Sequence, residues 1–173
     1  MADSKLMETF KSKISANLGL SKANKFEVTF SGIPGWSGSL EDLTLMCDSV
    51  TMPTRQIETM SYSLHRHTIK VPTGYTEEDI RITFNVTQNY LAKKALDSWV
   101  SKIIDVPTYR VNYNDVYRRD ITIKQLDSKD AVIYTASVKD AFPYEVSALE
   151  FSNDSEEIVK VSATFAYGFF EIS

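Results

Sequence analysis

EEDIRITFNVTQNYLAKKALDSWVSKI, residues 77–103, changes its hydrophobic period in mid-course. Ile80, Ile82, Phe84 and Val86 alternate with Arg81, Thr83, Asn85 and Thr87, the period of a strand buried on one side. Past Asn89, which can cap a helix, Ala92, Ala95, Leu96, Trp99 and Ile103 mark an apolar stripe, with Lys93, Lys94, Asp97, Ser98 and Lys102 outside it. A two-faced strand therefore leads into an amphipathic helix. That helix is expected to lie against a sheet.

The closing stretch repeats the division of faces. Val159, Val161, Ala163, Phe165, Tyr167 and Phe169 fall on one side, and Lys160, Ser162, Thr164 and Ala166 on the other. Working back toward the N-terminus, Phe26, Val28 and Phe30 alternate with Glu27 and Thr29 until the turn-rich SGIPGWSGSLED. LTLMCDSVTMP reads as a second strand ending at Pro53, TRQIET as a connection, and MSYSLHRHTIKVP as a third strand ending at Pro72. On the other side of the helix, DVPTYRVNYNDVYRR is irregular. DITIKQLDSKDAVIYTASV then forms two strands joined at residues 127–130, and a final pair turns at NDSEE.

Seven or eight strands and two helices make an α+β, mainly β fold: an antiparallel barrel or sandwich with one flanking helix and a short N-terminal helix. That first helix places Leu6, Phe10 and Ile14 on one stripe, and Gly19 can end it. A lone helix this short is marginal in water, so the stripe needs a surface, on its own domain or on a neighbour. Residues 1–24 are read as an arm and linker, and 25–173 as one domain.

Composition narrows the function classes. The 173 residues are 43% hydrophobic and 12% aromatic, enough for one core, and the aromatics favour sheets. A net charge of −4 argues against a protein that grips nucleic acid through its phosphates. The lone Cys47 excludes an internal disulfide framework. The N-terminus lacks the apolar core of a signal peptide and no apolar run is long enough to span a membrane, so a soluble protein without a membrane anchor is expected.

No constellation points to catalysis or to a cofactor. His65 and His67 would share one strand face, but zinc needs a third ligand that nothing nearby signals. Cys47 reads as a small buried hydrophobe, and the carboxylates of TEED and NDSEE as solvated turns. A well-patterned domain without chemistry acts through its surfaces, which makes assembly the leading class. The competing class is a ligand-binding β-module using Trp36, Tyr75, Tyr109 and Tyr113 as stacking platforms.

Four segments in order carry a resemblance: NKFEVTFSGIPG, CDSVTMPTRQIE, EEDIRITFNVTQNYLAKKALDSWVSKI and DAFPYEVSALEFSNDSEEIVKVSATFAY. Together, from Lys25 to Phe170, the chain resembles the tube proteins of contractile-tailed bacteriophages, to which type VI secretion tubes are related. The resemblance implies a barrel-like subunit in hexameric rings that stack into a tube through which DNA passes, and the net charge of −4 leads to the expectation that DNA passes without tight binding. It implies sheath, baseplate and tail terminator proteins as partners, a place in the virion tail, and assembly in the host cytoplasm. A baseplate protein that initiates the tube would share the fold. Within such a tube Arg81, Thr83, Asn85, Thr87, Lys160, Ser162 and Thr164 would face the lumen, and Leu6, Phe10 and Ile14 would serve as an inter-subunit arm.

Overall fold

The computed structural model describes residues 7–13, 21–64, 67–149 and 158–173. Residues 7–13 are helical. The strands are β1 (Phe26–Phe30), β2 (Cys47–Val50), β3 (Arg55–Leu64), β4 (His67–Glu77), β5 (Ile80–Asn85), β6 (Ile104–Asp105), β7 (Arg110–Val111), β8 (Arg119–Leu126), β9 (Val132–Val146), β10 (Lys160–Ala166) and β11 (Phe169–Ile172). The helices among them are α1 (Leu40–Leu45), α2 (Leu91–Ile103) and α3 (Asn114–Tyr117).

Seven strands form one antiparallel sheet in the order β1-β8-β9-β10-β5-β2, with β11 also on β9. The sheet folds over on itself like a sandwich and does not close: β1 and β2 end it without pairing to each other. Of the two expected architectures, the sandwich is therefore the one adopted. The long strand β9 makes the bend. Its first part pairs with β8 and β11 and its last part with β10, and between them Asp140 takes a left-handed φ of 57°. Opposite that kink Gly168 separates β10 from β11. A Cβ there would stand 3.3 Å from the Asp140 Cβ, so a bare backbone is what permits the approach. The break also shifts the face of the closing stretch: Phe170 is buried and Phe169 exposed, the reverse of unbroken alternation.

Ile80, Ile82, Phe84, Val161, Ala163 and Phe165 fill the interior as the period-two pattern requires, with Val28, Phe30, Ile121 and Ile123 from the facing layer. Helix α2 closes the core with Ala92, Ala95, Leu96 and Trp99. The Trp99 ring lies edge-on to Phe30 at 6.3 Å and tilted on Phe165 at 5.7 Å, and its Nε1–H donates to the Tyr117 carbonyl at 2.6 Å. Asn89 does not cap this helix. Tyr90 takes the cap position with φ 55°, and the Leu91 N–H instead donates to Thr87 Oγ1 at 3.5 Å.

Three stretches differ from their reading. LTLMC is split: Ser39 Oγ accepts from the Asp42 N–H, Glu41 and Asp42 favour the first turn, and residues 40–45 become a helix before β2 begins at Cys47. TRQIET is no connection but mostly the start of β3. MSYSLHRHTIKVP is not one strand but two, β3 turning into β4, which continues past Pro72 by a bulge opposite Glu58 and Thr59. The irregular segment holds the small β6–β7 pair and the single turn α3.

Candidate assembly surfaces

The outer face of β5 and β10 is a polar grid set by register. Lys160 pairs with Asn85, Ser162 with Thr83, and Thr164 with Arg81. Thr83 and Ser162 share a hydrogen bond at 3.0 Å between their hydroxyls, and the Thr164 hydroxyl donates to Glu145 Oε2 at 3.2 Å. Lys160 Nζ meets Asp48 Oδ2 at 2.8 Å, and Asn85 Nδ2 donates to Asp48 Oδ1 at 3.5 Å. Hydrogen bonding from Lys160, reinforced by its charge, holds the Asp48 carboxyl below the usual carboxylate range. Six of the seven residues expected on this face are thus brought together. Thr87 lies beyond the end of β5, at the start of the turn into α2. Asp48 and Glu145 complete the grid. They come from β2 and β9, and only tertiary pairing brings them to Lys160 and Thr164.

The β3–β4 hairpin carries the largest concentration of exposed apolar side chains on regular structure: Ile57, Met60, Tyr62, Ile69, Val71 and Tyr75 are all exposed. Its stem is fixed. The Arg55 guanidinium lies 4.8 Å from the Tyr75 ring and 5.0 Å from the Phe170 ring, and bonds Glu77 at 2.6 Å, while the Tyr167 hydroxyl donates to the Glu78 carbonyl. Beyond the stem the two strands bury little except each other. A second apolar surface is a groove of about 520 Å³ between α2 and β9, lined by Val100, Ile104, Val106, Phe142, Pro143 and Tyr144 among others.

The arm stripe is represented by Phe10, which is exposed; Leu6 and Ile14 lie outside the described residues. His65 also lies outside them, and His67 is exposed at the start of β4. Of the proposed stacking platforms, Trp36 is half-buried against the core with its ring over Gly38, and Tyr75 is engaged by Arg55. Tyr109 and Tyr113 are open to solvent. Cys47 is partly buried rather than fully so; burial and then the Asp48 charge push its thiol up to about 12.

Burial likewise raises the Tyr167 phenol to about 12. Both groups resist ionisation in the folded state, so their contribution is intact below their unfolded values, about 9 and 10, and disappears as pH rises toward 12. Urea unfolding is expected to weaken steadily across that alkaline window. Cys47→Ser should remove the part that begins near pH 9, and an unchanged pH profile in that variant would contradict the assignment.

Among the described residues, a sheet with β1 and β2 at unpaired edges, a hydrogen-bonded polar face, an exposed apolar hairpin and an open apolar groove are features that suit a structural subunit. A family model described as phage tail tube protein matches residues 12–173, and the chain belongs to that family. The tail tube protein of Serratia phage KSP90 is 25% identical over 145 residues, covering 82% of this chain and 81% of that one. Among solved structures, a chain of the sheath-tube complex of an extracellular contractile injection system, PVC, in its extended state superposes with a TM-score of 0.66. It is 18% identical, with 89% of this chain and 91% of that one covered. A chain in the structure of the sheath/tube terminator of the same system, in the extended state, gives 0.66 at 20% identity, covering 88% and 95%. These likenesses show the fold. The protein is a structural tail tube subunit, not an enzyme.

Proposed function

We propose that the chain assembles with copies of itself into six-membered rings, and that the rings stack into the tube of a contractile tail. The polar face of β5 and β10 would line the lumen as a conduit for DNA during ejection. The observation that carries this reading is that face itself: the Thr83 and Ser162 hydroxyls bond each other, the Thr164 hydroxyl donates to Glu145, and Lys160 is neutralised by Asp48 within the same chain. Such a surface wets well, and with Lys160 paired, Arg81 is the one cation among the expected lumen residues left to meet a phosphate. The tube would be enclosed by a sheath protein, begin on a baseplate and end at a terminator, a reading supported by the likeness to chains in a sheath-tube complex and a sheath/tube terminator structure. Its place is then the virion tail, after assembly in the host cytoplasm.

Residues 1–24 act in this reading as an arm between subunits, a role supported by the exposure of Phe10 among the described residues. Sedimentation and negative-stain microscopy at micromolar concentration, with and without a preformed baseplate, test the proposal. Rings or tubes are expected in at least one setting, and strict monomers in both would end it. Deleting residues 1–20 should impair stacking and leave the thermal transition of the domain intact. Collapse of that transition would assign the helix to its own core.

A further inference from the structure

We infer that Arg55 is the clamp that sets the direction in which the β3–β4 ribbon leaves the sandwich, and so a positioning residue for assembly, an inference that rests on the tube reading. The ribbon has little else to hold it. Among the described residues its two strands pack chiefly on each other, and Ile57, Met60, Tyr62, Ile69 and Val71 stand exposed along it. What ties it to the domain is gathered at its base. Pro53, buried just before β3, fixes the entry. At the exit the Tyr167 hydroxyl donates to the Glu78 carbonyl at 2.8 Å, and the Glu78 N–H donates to the Thr54 carbonyl at 3.3 Å. These contacts fix one point, and a ribbon held at one point can still tilt.

Arg55 removes that freedom. It pairs in register with Glu77, and its Nε and Nη2 both donate to Glu77 Oε1, at 2.9 and 2.6 Å. The same guanidinium lies over the Tyr75 ring of β4 at 4.8 Å and over the Phe170 ring of β11 at 5.0 Å. Phe170 is itself buried and set edge-on to Tyr167 at 6.2 Å, so it is a fixed wall. A flat cation against two ring faces, held in its plane by a carboxylate, resists rotation in a way that a point charge does not. Leverage magnifies the consequence. The 10 residues of β3 reach roughly 30 Å from the stem, so a tilt of about 10° there displaces the far end by roughly 5 Å, a full strand spacing. A subunit that meets the ribbon therefore meets it in register only if the stem is rigid, and a loose ribbon must be ordered at the moment of assembly.

The test begins in the unassembled full chain. Cys47→Ser removes the one native thiol, and Ser63→Cys on the ribbon and Lys94→Cys on α2 carry a donor and an acceptor dye. Fluorescence lifetimes at picomolar concentration read the distribution of distances between them. One narrow distribution is expected with Arg55 in place. Arg55→Lys keeps the charge and loses the plane; it should at least double the width and leave the urea midpoint unchanged, since the side chain is partly exposed. Tyr75→Leu should do the same, and Tyr75→Phe, which keeps the ring face, should match the parent. A broad distribution in the parent, or an unbroadened one in Arg55→Lys, would overturn the clamp. Assembly is then compared without dyes: Arg55→Lys should raise the concentration needed for rings or tubes about tenfold, and Tyr75→Phe should not. An unchanged threshold with a broadened ribbon would overturn the role in assembly. Monomers throughout, in the parent as well, would end the tube reading and with it that role, and the distance distributions would still decide the clamp.

Discussion

Trp99→Ala is expected to destabilise the protein by about 3–5 kcal/mol, enough to leave a marginal domain largely unfolded. The indole is fully buried and packs between Phe30 of β1 and Phe165 of β10, so removing it opens a cavity at the junction of both layers of the sandwich with α2. It also takes away the donor to the Tyr117 carbonyl, a buried acceptor whose loss of partner costs about 1–3 kcal/mol in its own right. Trp99→Phe should recover most of the packing and not the hydrogen bond, and so fall between the two. Urea midpoints measured at constant slope check this. A loss under about 1 kcal/mol for the alanine variant would mean that α2 is a peripheral ornament of the sheet and not its closing wall.

Trp99 was readable because its signal is local. The switch from period two to helical spacing within residues 77–103 reflects contacts that each residue makes with one core, and the same holds for Val161, Ala163 and Phe165. The hairpin was not readable on those terms. LHRH holds none of the Gly, Asn or Asp residues that signal a tight turn, and alternation continues on both sides of it, so two strands look like one. LTLMC failed for the opposite reason: four of its five residues are apolar, short apolar runs fit helix and strand alike, and the Ser39 cap decides between them. In the candidate lumen, alternation placed Arg81, Thr83, Asn85, Lys160, Ser162 and Thr164 on one face. It could not supply Asp48 and Glu145, because pairing across strands distant in sequence leaves no periodic trace.

That pairing is what makes the lumen proposal testable with one atom's change in charge. Asp48→Asn keeps the side-chain shape beside Asn85 and leaves Lys160 without its counter-charge. Stability should move little, since the pair is partly exposed and such pairs contribute modestly. Whatever the pair does contribute holds above the ordinary aspartate range and fades as pH falls through the lowered value of Asp48, so a neutral-pH experiment sees it in full. A ring of six would carry a formal charge of about −24 at −4 per chain, and the parent tube is expected to show no measurable DNA binding near physiological salt. The variant presents six unpaired ammonium groups per ring, repeated along the axis. Binding should appear at low salt and weaken as salt rises, with a log–log slope of about −0.9 for each duplex phosphate engaged. If the lumen instead lies on another surface, Asp48→Asn and the parent will match across the salt series. Tight, salt-sensitive binding by the parent itself would show that this conduit grips its cargo, and that the Lys160–Asp48 pair does not serve to keep phosphates moving.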